Sequence, residues 1–310
     1  MNIKLSHENK EFSRLGIFSL ITIAATVTAT ILRIVSLLFF YDKIGYYRTG
    51  EAIPVISNVF YAISLVFFAL STRFAITSRI AVAPPSKIAR AAALLPMSAI
   101  LFDVITRTSE LFSLSGSGAK WYEILFPVFG IISVVFFASL AFCRQPSSLT
   151  SLSGIGCILW FAVVTMSSYL DFTVPMNSPD KLFFHLSAVG IMFFIFSEIR
   201  ALYRMLQPRM YVFSVFTAVF AIAVDAIPNI IGDSRDIFAS YSLIKEDITM
   251  IALLVYIVVR FITGLSEKSM QSEIYEQTEE ISSEHVEGAN EKQEFKTDGT
   301  DDEKNNTLYQ

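Results

Sequence analysis

One stretch of the sequence places ionisable side chains at helical spacing inside an apolar segment. In the run LFDVITRTSELF, Asp103 and Arg107 are four residues apart, and Glu110 follows three residues later. Residues three and four apart share one face of a helix, so these side chains form an acid–base–acid stripe. An ionised group near the centre of a bilayer costs about 2.5–3.5 kcal/mol on insertion scales. In a membrane span, such a stripe is expected to face the protein interior.

Three further charges, Arg33, Asp171 and Asp225, lie at comparable positions in other apolar segments. Together with the stripe they predict a polar layer that opens toward the outer surface. A guanidinium group matches the planar oxygens of a carboxylate or phosphate, whereas carboxylates would bind an amine or cation, or carry protons. The candidate binding residues for a small solute or ion are therefore Arg33, Asp103, Arg107, Glu110, Asp171 and Asp225.

A structural explanation of the same charges stays open. Interhelical ion pairs can specify which helix packs on which, and a buried pair is often retained for that specificity. The interior charges therefore predict either a binding site or a set of packing contacts.

Motifs of the common catalytic sites are missing from the sequence. It contains no HExxH zinc motif, no GxSxG elbow with a placed histidine and no GxxxxGK[ST] phosphate loop. The two cysteines, Cys143 and Cys157, lie in or beside apolar segments, where a free cysteine behaves as a small hydrophobic residue. We therefore expect no enzyme activity, no cofactor and no metal site.

The elements that carry these charges are predicted to be membrane-spanning helices. Of the 310 residues, 53% are hydrophobic and 17% are charged, against about 25% charged in an ordinary soluble domain. Only helices and closed barrels satisfy their backbone groups in lipid, and the long apolar runs favour helices. We predict an all-α, polytopic transmembrane helix bundle of eight spans in four hairpins. The predicted spans cover residues 15–40, 52–72, 88–112, 121–143, 152–174, 181–206, 210–231 and 241–262.

The positions of lysine and arginine predict the orientation. Thirteen of them lie near span ends on the side of the N-terminus and six on the opposite side. The positive-inside rule then places both termini in the cytoplasm. The stretch FSEIRALYR, which contains Glu198, is predicted to form a basic rim against the headgroups. We expect a multi-pass protein of the bacterial plasma membrane, in contact with the lipid bilayer, with a short cytoplasmic segment at residues 1–14 and a transmembrane domain at 15–263.

The C-terminal segment differs in composition from the spans. Residues 264–310 contain 13 acidic residues and 4 lysines, a net charge of −9. Such a composition predicts a disordered cytoplasmic tail, and its sign excludes a nucleic-acid partner. Met270, Ile274 and Ile281 lie at helical spacing and could dock on a cytoplasmic protein. The alternative function is therefore a non-catalytic scaffold or adaptor that recruits a cytoplasmic partner through this tail.

Overall fold

A computed structural model describes most of the chain up to residue 267. The described residues are 2–41, 47–48, 50–75, 80–113, 121–143, 147–170, 178–203, 205, 207–233 and 244–267. The chain divides into two units, Met1–Ser266 and Glu267–Gln310. Of the second unit only Glu267 is described, so the predicted acidic tail lies outside the described residues.

Nine α-helices and two short strands make up the described part of the chain. The helices are α1 (Asn2–Phe40), α2 (Ala52–Ala75), α3 (Lys87–Ala92), α4 (Leu94–Ser113), α5 (Trp121–Phe142), α6 (Ser148–Leu170), α7 (Pro179–Leu202), α8 (Pro208–Asp233) and α9 (Ile244–Gly264). Strand β1 (Ile80–Val82) pairs with β2 (Leu265–Glu267). The fold is therefore helical apart from this one pair of strands.

Among the described residues, eight helical segments are long and apolar enough to cross a membrane. The third of them joins α3 and α4 into one span, Lys87–Phe112. Their separation at Ala93 follows from Pro96, whose ring clashes with the carbonyl of the residue four positions earlier, Ala92, where α3 ends. The predicted number of spans is confirmed by length and hydropathy.

Helix α8 lies at the centre of the bundle and packs against α1, α2, α7 and α9. It is the most buried of the eight spans. Aromatic side chains fill its contacts with α2, where the Phe68 ring lies edge-on to Phe216 and Phe220. A polar side chain that α8 directs inward is consequently enclosed by protein.

Apolar side chains also cover much of the outside of the bundle. Leu20 on α1, Ile63 on α2 and Leu182 on α7 are among the large hydrophobic residues that stay exposed. An outer surface of this kind is stable in contact with lipid tails rather than with water. The exterior therefore agrees with the eight apolar spans.

Candidate functional site

Three helices bring charged side chains together near one end of the bundle. Arg33 lies about two turns before the end of α1, Asp180 lies in the first turn of α7, and Asp225 lies about two turns before the end of α8. The chain reverses direction between successive spans, so these positions share one end. With Ser187 and Asn229, these residues form what we call the Arg33 group.

Helix α7 is fixed at this end by its N-cap. The Ser178 side chain accepts a hydrogen bond from the backbone N–H of Lys181, and Pro179 occupies the first helical position. The cap places Asp180 in the first turn, where its carboxylate turns inward and is almost entirely buried.

Arg33 has its positive charge compensated inside the protein. Its side chain is 0% exposed, and its guanidinium forms an ion pair with Asp180 and donates a hydrogen bond to the Tyr47 hydroxyl. The guanidinium also lies over the Phe183 ring, 4.3 Å from the ring centroid. Its Nε atom is buried without a hydrogen-bond partner. Asp180 accepts a second hydrogen bond, from the Tyr41 hydroxyl.

Asp225 is a fully buried carboxyl group that has only neutral hydrogen-bond donors. Ser187 Oγ donates to its Oδ2 at 2.7 Å, and Asn229 Nδ2 donates to its Oδ1 at 3.2 Å. Among the described residues, no cationic group lies within ion-pair distance of Asp225, although the charges of Arg33 and Asp180 act on it through space. A buried carboxylate without a cation carries a large desolvation cost. The site is therefore suited to take up a positive charge.

The other charges predicted for the polar layer lie elsewhere. On α4, Arg107 Nε is 3.1 Å from Asp103 Oδ1, and the guanidinium lies 4.2 Å from the centroid of the Phe126 ring of α5. Glu110 is exposed, and Asp171 lies outside the described residues. The structure thus places Arg33 close enough to Asp225 for their charges to interact through space and, separately, pairs Asp103 with Arg107.

Sequence reasoning missed Asp180 and a second buried ion pair. Arg260 Nε donates to Glu198 Oε1 at 2.7 Å, and both side chains are 0% exposed. Tyr211 donates to the other oxygen of Glu198 at 3.2 Å. The expected basic rim at FSEIRALYR therefore does not include Glu198, which turns inward to meet a cation from α9. The sequence does place an acid, Glu198, and a base, Arg260, near the ends of two different spans, and this is the signal that could have indicated the pair.

This second cluster, which we call the Glu198 group, also connects the two strands. Arg260 Nη2 donates to the Ala83 carbonyl at 2.9 Å, and the Ala83 N–H donates to the Gly264 carbonyl at 2.7 Å. A side chain at position 264 would meet Arg260, because a Cβ there would lie 2.2 Å from Nη1. The group joins α7, α8 and α9 to the segment between α2 and α3, which is a structural role.

The described part of the chain contains no cluster of acidic, histidine or cysteine side chains that could hold a metal ion. No three residues among histidine, cysteine, aspartate and glutamate lie together there.

Comparison of the chain with protein-family models, curated proteins and solved structures found no match. The eight apolar helices of the described chain identify the class of protein. The chain is a multi-pass membrane protein. Among the charged groups described, the Arg33 group is the one whose buried charges are least explained by helix packing.

Proposed function

We propose that this membrane protein binds a small solute or ion at the Arg33 group, as a transporter or a membrane-embedded receptor, and that it is not an enzyme. The observation that carries the proposal is Asp225, a carboxyl group 0% exposed and held by neutral donors. Ionisable residues inside membrane spans commonly mark a substrate or ion path.

The two buried groups differ in how well packing explains them. In the Glu198 group the acid and the base neutralise each other directly at 2.7 Å. In the Arg33 group, Arg33 pairs with Asp180, and Asp225 has no cation within ion-pair distance among the described residues. This second, unpaired carboxyl group supports binding of a ligand rather than packing alone.

The charges indicate the chemistry of the solute. Asp225 would bind a cationic or amine group, and the Arg33 guanidinium would bind a carboxylate or phosphate after exchanging part of its contact with Asp180. Tyr41 and Tyr47 supply hydroxyl groups beside the same charges. A solute carrying one positive group, with or without a negative one, fits this arrangement.

A thermal-shift screen on the purified protein in detergent tests the proposal. The panel would contain amino acids, organic acids, phosphates and polyamines, with wild type beside Asp225→Asn and the matched control Glu110→Gln. A ligand of the native state raises the melting temperature by mass action. We expect a response that Asp225→Asn loses and Glu110→Gln keeps. An equal response in both variants would refute a site at Asp225.

The second candidate function is a scaffold that recruits a cytoplasmic partner through the acidic tail. Its support is the net charge of −9 over residues 264–310. Deletion of Glu267–Gln310 separates the two functions, because a scaffold would lose its activity and a solute-binding protein would keep its ligand response.

We infer from the lysine and arginine bias that both termini face the cytoplasm, across a bacterial plasma membrane. The Arg33 group would then lie toward the outer surface. Reporter domains fused to each terminus would both be active on the cytoplasmic side, and an active extracytoplasmic reporter would reverse this assignment.

A further inference from the structure

We propose that Asp225 is the centre of a binding site for a monovalent alkali cation, which radioactive sodium can report. This inference deepens the proposed function, on which it rests, by naming the class of ion that enters the Arg33 group. It follows from the oxygen atoms around Asp225, from a break in the hydrogen bonding of α8, and from the charge balance of the group.

The side chains around Asp225 supply oxygen ligands. Ser187 Oγ lies 2.7 Å from Asp225 Oδ2, and the Asn229 carboxamide lies against Oδ1. Asn229 is only 4% exposed, and its own oxygen, Oδ1, is buried without a hydrogen-bond partner. Hard cations are bound by carboxylate, amide and carbonyl oxygens. In the structure the amide nitrogen of Asn229 faces Asp225. Rotation of the carboxamide would turn the orphaned oxygen toward a cation held by Asp225 and give this acceptor a partner.

Helix α8 offers a further oxygen at the same level. Pro228 lies inside the helix and has no N–H, so the carbonyl of Val224 has no regular helical donor. Val224 directly precedes Asp225 in the chain. Backbone carbonyls released by interruptions in spans are ligands for coupling ions in membrane carriers. The proline thus releases a backbone carbonyl at the residue that directly precedes Asp225.

The charges favour a monovalent ion over a divalent one. Arg33 pairs with Asp180, so the guanidinium that acts on Asp225 is itself compensated. One carboxylate is then left to neutralise, which a single positive charge does. Dedicated calcium sites instead gather several carboxylates and carbonyls, and no cluster of acids with that composition lies in the described residues.

Binding of radioactive sodium to the purified full-length protein tests the inference. The measurement would use a scintillation proximity assay in detergent, with choline replacing sodium at constant ionic strength and no other solute present. We expect saturable binding that Asp225→Asn abolishes and that Glu110→Gln leaves unchanged. Ser187→Ala keeps the carboxylate and should weaken sodium binding about tenfold, as the loss of a supporting oxygen does in other ion sites. If Asp225→Asn fails to fold, Ser187→Ala still tests the inference, because it leaves the carboxylate of Asp225 in place.

The possible results separate sodium from other occupants of the site. Absence of saturable sodium binding in wild type, or equal binding in Asp225→Asn, would overturn the inference. A melting temperature that depends on pH in wild type but not in Asp225→Asn, without any sodium effect, would assign the site to a proton and also overturn it. Because no solute is present, failure here leaves a solute response that depends on Asp225 intact, and that response would still support the proposed function.

Discussion

Glu198 and Asp225 are both fully buried acids in membrane spans, and their surroundings give them different roles. Glu198 has Arg260 at 2.7 Å and the Tyr211 hydroxyl on its second oxygen. Asp225 has a serine and an asparagine. A buried ion pair contributes specificity of packing, whereas a buried carboxyl group without a counter-charge is stable only once it binds a proton or another cation. We therefore assign stability to Glu198 and ligand binding to Asp225.

Removing Glu198 alone should destabilise the bundle strongly. Glu198→Leu leaves Arg260 buried without its acid, and loss of one member of such a pair costs about 3–5 kcal/mol. The double variant Glu198→Leu/Arg260→Met should recover most of this loss, since it leaves no uncompensated charge. Unfolding by SDS titration in mixed micelles measures both. A single variant as stable as wild type would show that the pair contributes nothing to folding.

The sequence supports prediction of some charged residues and not of others. Arg33 and Asp225 could be singled out because each lies about two turns inside an apolar span, where a charge needs an interior partner. Asp180, Glu198 and Arg260 lie nearer to span ends, where long charged side chains usually reach the headgroups. Whether such a residue turns inward depends on the helix that packs beside it, and hydropathy does not report this.

At the scale of the helices, close contact between α7 and α8 holds the Arg33 group together. A Cβ at Gly190 on α7 would lie 3.2 Å from the Ala218 Cα of α8. Small residues let helix backbones approach closely in membranes. Ser187, which bonds to Asp225, lies one turn before Gly190, so the glycine contact also fixes the Ser187–Asp225 hydrogen bond.

Enlarging Gly190 should therefore separate the two helices. Gly190→Val is expected to cost about 1–3 kcal/mol, as overpacking in a close contact does, and to lower the melting temperature. Gly16→Ala on α1 is the control, because a Cβ there meets nothing within 4 Å and the change should be neutral or slightly stabilising. Equal melting temperatures for Gly190→Val and wild type would contradict the close packing of α7 on α8.

Hydropathy predicted the helices better than it predicted their ends. The fifth span was expected at 152–174, whereas α6 runs over Ser148–Leu170. Similarly, the third span was expected as one segment at 88–112, whereas the structure divides it into α3 and α4 at Ala93. The ends of helices depend on single residues, such as the N-cap Ser178 or a proline. Hydropathy averaged over a long window does not detect the effect of one residue.

At the scale of the whole molecule, the chain divides into the unit that contains the helices and the segment Glu267–Gln310. The first unit ends at Ser266, and the described contacts of the Arg33 and Glu198 groups all lie within it. We expect deletion of Glu267–Gln310 to leave the melting temperature and the ligand response unchanged. A large fall in melting temperature would show that the tail stabilises the bundle, and loss of the ligand response alone would favour a binding role for the tail.

The architecture could be predicted from the sequence because long apolar runs have few alternatives to membrane-spanning helices. The arrangement of the charges could not. Arg33 and Asp225 lie far apart in the chain and come near each other because α1 packs on α8, while Asp103 and Arg107 form their own pair on α4. A single polar layer was a reasonable expectation from depth alone, but neighbours in a bundle are set by packing.

The most direct test of binding at the Arg33 group substitutes both members of an ion pair together and compares the ligand responses of the resulting variants. Arg33→Gln/Asp180→Asn eliminates the pair in the Arg33 group, and Asp103→Asn/Arg107→Gln eliminates the pair on α4 without changing the net charge in either case. Thermal shifts would be measured for both double variants and wild type with the same solute panel. We expect the response of wild type to solutes that carry a carboxylate or phosphate to be lost in Arg33→Gln/Asp180→Asn and kept in Asp103→Asn/Arg107→Gln. Survival of that response in Arg33→Gln/Asp180→Asn, or its absence in wild type, would contradict binding of such solutes at the Arg33 group.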